Sequence, residues 1–230
     1  MNIKHTIATT SIALLGMLTL TGTASAARPT VDLSGAKAKC DAAVAERLTE
    51  IDKLTGKANG AKNLGAGHRT TIVGLLSTSR SGLTDLRAKI DADVDGATLK
   101  TDCQNVATGF RVFALRAPQV HLAIVGDRQV AVLARGTNAV TKLDAAIQKA
   151  SSNGKDVTDA TAKLADMKAK LADATALLDG VVDSELALTP AQWNANHNVL
   201  SPTMTALHNA QADLLTALAD GKAIIADLKA

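Results

Sequence analysis

FRVFALRAPQVHLAIVGD, from Phe110 to Asp127, decides how the chain is read. It holds both phenylalanines, the densest cluster of large apolar residues after the N-terminal segment, and Pro118 near its middle. Ala-, Leu- and Lys-rich stretches with helical periodicity lie on either side. The segment reads as a buried connecting helix that ties an N-terminal helical group to a C-terminal one. A bend is expected at Pro118, because proline removes one backbone donor and crowds the preceding turn. A short strand from Val120 to Val125 is the alternative, disfavoured because no partner strand is evident elsewhere.

Working outward, the apolar positions recur at three- and four-residue steps. Toward the N-terminus, Ser34 is placed to cap a helix with Cys40, Val44, Leu48, Ile51, Leu54, Ala58 and Ala61 on one face. Gly65 and Gly67 break it. A second helix carries Ile72, Leu76, Ser79, Leu83, Leu86 and Ile90, and Asp95-Gly96 is a turn signal. The third carries Leu99, Cys103, Val106, Phe110 and Phe113 and runs on through Ala117, Val120 and Ile124.

Beyond Pro118 the pattern resumes with Val130, Leu133, Val140, Leu143 and Ile147, and Ser151 to Gly154 ends it. A fifth helix, capped by Asp156, is the most regular. Its Val157, Ala160, Leu164, Met167, Leu171, Ala174, Leu178 and Val181 follow a 3.5-residue repeat, a coiled-coil seam. Thr189-Pro190 and Ser201-Pro202 read as caps with proline in the first turn. The last helix places Met204, Leu207, Leu214, Leu218, Ile225 and Leu228 on its seam, interrupted by Gln211 and Gly221.

The expected fold is all-α: long antiparallel helices in two consecutive three-helix, spectrin-like groups (27–117 and 118–230) joined near Pro118, with one continuous bundle as the alternative. Scarce aromatics and abundant Ala, Leu and Lys favour helix over sheet. In such a bundle the first and third helices run parallel, which brings Cys40 and Cys103 to the same end.

The N-terminus reads as a secretory leader over residues 1–26. Lys4 and His5 give a basic start, Ile7 to Leu20 is uncharged and largely apolar, and Ala24-Ser25-Ala26 is a small-x-small cleavage site. The apolar run is short for a membrane span, no second span follows, and no cysteine follows the cleavage site to carry acyl chains. The mature chain is expected to begin near Ala27, exported and without an integral membrane segment. In an exported chain the even pair Cys40 and Cys103 favours a disulfide.

Loss of Lys4 with the leader leaves 24 basic and 22 acidic residues. The sequence pI of 8.9 is thus a small excess on a nearly balanced surface. With two Phe, one Trp and no Tyr there are few platforms for stacking bases, so nucleic acid is not an expected partner. No G-x-S-x-G elbow, phosphate-binding loop, H-E-x-x-H or calcium loop occurs. No catalytic residue, metal or cofactor is expected. His121 sits in the apolar centre and reads as a packing residue, and His197 and His208 are separated by Pro202. The Lys163–Asp173 charge run reads as a solvated helix face.

One segment stands out as a recognition surface: Leu188 to His197, where the only Trp, Trp193, sits with Asn194, Asn196 and His197. The favoured reading is nonetheless a Trp that plugs the end of the bundle, which an apolar seam needs, with Asn194 and Asn196 completing backbone hydrogen bonds.

The leader, CDAAVAERLTEIDKLT from Cys40 to Thr55, RVFALRAPQVHLAIV from Arg111 to Val125, and LTPAQWNANHNVLSP from Leu188 to Pro202 together resemble a group of exported, Ala-rich helical proteins of high-GC Gram-positive bacteria (actinobacteria). The resemblance spans most of the mature chain. It implies an all-helical fold and an extracytoplasmic location, and it supplies no residue of known role. The function expected is a non-catalytic structural or interaction role, secreted or associated with the cell wall. The alternative is a binding module for a small ligand or a wall polymer, using the Trp193 segment; a wall polymer or another protein is the partner expected.

Overall fold

The computed structural model describes residues 32–229, and these contain helices and turns and no strand, so the chain is all-α. The leader and all but the last residue of the loop after it lie outside the described residues. Eight α-helices follow in order: α1 (Ser34–Gly60), α2 (Ala66–Ala92), α3 (Gly96–Thr108), α4 (Ala117–Ser152), α5 (Thr158–Leu178), α6 (Val181–Leu186), α7 (Pro190–Ala195) and α8 (Ser201–Lys229). A π-helical turn, Val112–Arg116, leads into α4.

The caps follow local chemistry. Asp95 accepts from the Ala97 and Thr98 amides to start α3. Asp156 is not the cap of α5: Val157 holds that position, and Asp156 accepts from the Thr158 amide. Ser34 is not a cap: Leu33 holds that position, and Asp32 accepts from the Ser34 amide at 2.9 Å. At the other end of α1, the Arg69 guanidinium donates to the carbonyls of Ala58, Asn59, Ala61 and Leu64. One cation thus satisfies the orphan carbonyls where the helix dipole is negative.

Cross-links give the helix directions. Arg87 pairs with Asp41 and Arg80 with Asp52, so α1 and α2 are antiparallel. Cys40 is bridged to Cys103, Arg47 lies over Phe113, and Lys57 donates to His121; the numbers rise together, so α1 runs parallel to α3, the π turn and the start of α4. Likewise α5 is antiparallel to α4 (Lys168 to Asp144) and to α8 (Lys163 to Asp227, Lys170 to Asp213).

Two apolar cores result. The first is built by α1, α2, α3, the π turn and the head of α4, with Val182 and Leu186 of α6. The second is built by Leu143 and Ile147 of α4 with the seams of α5 and α8. α4 runs through both. At their junction α6 crosses α4 closely: a Cβ on Gly126 would stand 2.5 Å from Val182 Cγ2.

Further sequence expectations need correction, among them Phe113 and Val130, expected on buried seams and in fact about half exposed. The break lies before Pro118, at Gly109 to Arg111, where Arg111 takes a left-handed conformation (φ 45°, ψ 42°). The wider π turn then delivers Pro118 into the first turn of α4, where a missing N–H costs nothing. His121 is exposed rather than packed in the centre, accepting from Lys57 Nζ at 2.9 Å. Val181 does not end the α5 seam: Gly180, in the left-handed region, separates it into α6.

The seam of α8 differs most. Its buried positions are Thr203, Leu207, Ala210, Leu214, Ala217, Gly221 and Ile224, while Met204, Leu218 and Ile225 face outward, each about half exposed. Small residues hold the inner face because the partners come close: Met167 and Leu143 pack over Gly221. Gly221 is thus part of the seam and not an interruption of it.

Candidate functional site

The stretch from Gly180 to Leu200 joins α5 to α8 and packs α6 on α4 and α7 on α3. Three polar clusters gather beneath it.

The first contains all four residues expected as a recognition surface. Thr189 and Gln192 form a reciprocal capping box at the start of α7, and this fixes where Trp193 points. The Trp193 ring is half-buried, with the Arg111 guanidinium 4.4 Å from its centroid and the His197 ring 4.2 Å away, tilted by 33°. Arg111 Nε donates to Asn194 Oδ1, and Asn194 Nδ2 donates to the Thr108 carbonyl at 3.0 Å. Asn196 Oδ1 accepts from the Asn198 amide and shapes the turn into α8. The left-handed Arg111 is therefore what α7 holds, through a cation–π contact and a side-chain hydrogen bond. Next to it Phe113 is 48% exposed, with the Arg47 guanidinium 5.4 Å from its ring.

The second cluster is buried. Arg116 donates from Nη1 to Gln119 Oε1 at 2.7 Å, and Gln119 Nε2 donates to the Glu185 and Leu188 carbonyls. Gln119 thereby closes the C-terminal end of α6 onto α4. Glu185 is 1% exposed, and neither carboxylate oxygen has a hydrogen-bond partner among the described residues. Burial pushes its carboxyl up to about 8, against the opposing pull of the Arg116 charge, so it is held protonated at neutral pH.

The third cluster joins three helices at one ring. His68 Nδ1 meets the Asp127 carboxylate at 2.8 Å, and its Nε2 meets Asp183 Oδ1 at 3.1 Å. Asp127 also accepts from the Gly65 amide at 2.6 Å. An imidazole donates from both nitrogens only when protonated. Burial opposes that charge, but the Asp127 hydrogen bond and charge and then Asp183 outweigh it, and the His68 pKa is raised. With both nitrogens taken by carboxylates, the ring fastens α2 to α4 and α6.

Cys40 and Cys103, expected as a pair, are bridged, with their Cα atoms 5.4 Å apart. Sequence reasoning missed Arg111, Arg116, Gln119, Glu185, His68, Asp127 and Asp183. Arg116 and Gln119 carry a faint signal, two polar side chains three apart inside the apolar 110–125 run. The others are joined only through space. No group of three or more His, Cys, Asp or Glu side chains placed to hold a metal occurs among the described residues, and no described helix is long and apolar enough to cross a membrane.

Comparison with known proteins gives no matching family model, no matching curated protein and no matching solved structure.

Proposed function

We propose that the protein acts outside the cytoplasm as a non-catalytic, disulfide-braced helical protein with a structural or interaction role, secreted or held at the cell wall. The observation that carries this reading is how its ionisable groups are used. The Cys40–Cys103 bridge, the Arg69 cap and the His68 clamp each tie one helix to another, and so each serves rigidity. A disulfide persists in oxidising, extracytoplasmic surroundings, which supports the location. The test is intact-mass analysis of the protein from culture medium and wall fractions. The reading expects a chain starting near Ala27, two hydrogen atoms lighter than the reduced form. A cytoplasmic protein with two free thiols would overturn it.

A second reading, a binding module for a small ligand or wall polymer, draws on one observation. Exposed Phe113, Arg47, Arg111 and the Trp193–His197 pair form a cationic, aromatic surface beside a strained backbone position. Trp193 is the only tryptophan, so its fluorescence reports occupancy directly. Titration with solubilised wall fragments should give a saturable shift that Arg111→Ala removes. A flat titration would leave the structural reading alone.

A further inference from the structure

Lysines on α5 find carboxylates: Lys163 pairs with Asp227, Lys168 with Asp144 and Lys170 with Asp213. The outer face of α4 is different. Arg128, Arg135, Lys142 and Lys149 recur every seven residues, all are exposed, and among the described residues none enters an ion pair. Arg135 bonds only to its own helix, at the Ala131 carbonyl. Three residues before Arg128 and Arg135 lie Val125 and Val132, which are exposed. A seven-residue step on a helix is about 10.5 Å, so this is a straight basic column edged by apolar side chains.

The same chain carries the complement. Asp159, Asp166 and Asp173 recur every seven residues along exposed positions of α5. Beside them α8 contributes Asp213, Asp220 and Asp227, and Lys163 and Lys170 balance only part of that charge. The crowding is visible at Asp220: burial and then the charge of Asp166 raise its pKa, and its Oδ2 has no hydrogen-bond partner among the described residues. An open groove of about 510 Å³ lies at this face, with Asp173 and Asp213 next to Ala176 and Leu177.

We propose that the basic column of α4 docks onto the acidic α5–α8 face of a second copy of this chain. The seven-residue repeats match, so Arg135, Lys142 and Lys149 meet Asp159, Asp166 and Asp173 in one register, while Val125 and Val132 offer apolar contact. Single exposed ion pairs are weak, and several at a common spacing, next to excess negative charge, favour association. The two patches are different surfaces, so the contact is heterologous and propagates head to tail.

Sedimentation velocity of the disulfide-intact protein at low salt tests this. Association should grow with protein concentration and weaken at least tenfold on raising salt from about 20 to 300 mM, as screened surface charges require. The double variants Arg135→Glu/Lys142→Glu and Asp166→Lys/Asp173→Lys should each stay monomeric alone while keeping wild-type helicity. Mixed, they should associate again in alternation, because the retained column of one meets the retained face of the other and the two reversed patches also attract. Wild-type protein that remains monomeric at about 0.5 mM in low salt would overturn the proposal. So would an association that neither double variant disturbs. Monomeric protein that binds vesicles of anionic phospholipid would also overturn it and assign the α4 column to a lipid surface.

Discussion

The two cores are fastened differently. Around the first, α1, α2, α3 and the head of α4 are held by a disulfide, by Arg69 on four carbonyls, by His68 between two carboxylates, and by the buried Arg116–Gln119–Glu185 group. Around the second, α4, α5 and α8 rely on a heptad seam with Lys–Asp pairs at its rim. One buried polar side chain assists there, Gln129, which donates to the Leu207 carbonyl. The first core is specified by directional contacts between residues far apart in sequence. The second is specified by shape at regular spacing, with its charge carried on the surface.

The largest effect should come from the covalent tie. Cys40→Ala should cost about 4 kcal/mol by the loop-entropy argument for a separation of 63 residues. Thermal unfolding should then show the first core melting ahead of the second. A single transition shifted uniformly would mean the cores are not separable.

Glu185 sharpens the contrast through pH. Its folded-state pKa is raised from 4.5 to about 8, so the folded protein holds a proton that the unfolded chain has released between those values. Stability should therefore fall as pH rises from about 4.5 to 8. Glu185→Gln cannot ionise, and should raise stability near pH 8 by on the order of 3 kcal/mol while changing little at pH 4. Chemical denaturation of both proteins across that range measures the difference. An unchanged pH profile would show that Glu185 is not held protonated.

At the junction, Gly126→Val places a side chain against Val182, and overpacking of this kind costs about 1–3 kcal/mol. Adding Val182→Ala should recover part of that loss in a double-mutant cycle. The smallest effect belongs to His68. Its raised pKa contributes stability that is complete below the unfolded value near 6.5 and is lost as pH rises through the folded value. His68→Gln should cost on the order of 1 kcal/mol at pH 5.5 and less at pH 8.5, the loss of hydrogen bonds to charged partners.

The contrast also explains what the sequence made legible. The α5 seam from Ala160 to Leu178 was readable because large apolar residues recur regularly, and the Cys40–Cys103 pairing because up-down-up connectivity puts both at one end. The inner face of α8 was not. Ala210, Ala217 and Gly221 bury by closeness rather than by hydrophobic size, so the bulkier Met204, Leu218 and Ile225 drew the eye to the wrong face. Pro118 marked the right neighbourhood, but the break fell at Arg111, whose left-handed backbone is held by Asn194 and Trp193 from far along the chain. Of the site, the Trp193 segment stood out by composition. His68, Asp127 and Asp183 were invisible because no local pattern links them; only the packing of α2, α4 and α6 brings them together.

Hydrogen exchange read by mass spectrometry on oxidised and reduced protein tests directly whether the two cores are fastened separately. Reduction should speed amide exchange in α1, α2 and α3 and leave the central turns of α5 and α8 protected as before. Equal loss of protection in both sets of helices, or no change in either, would contradict the account.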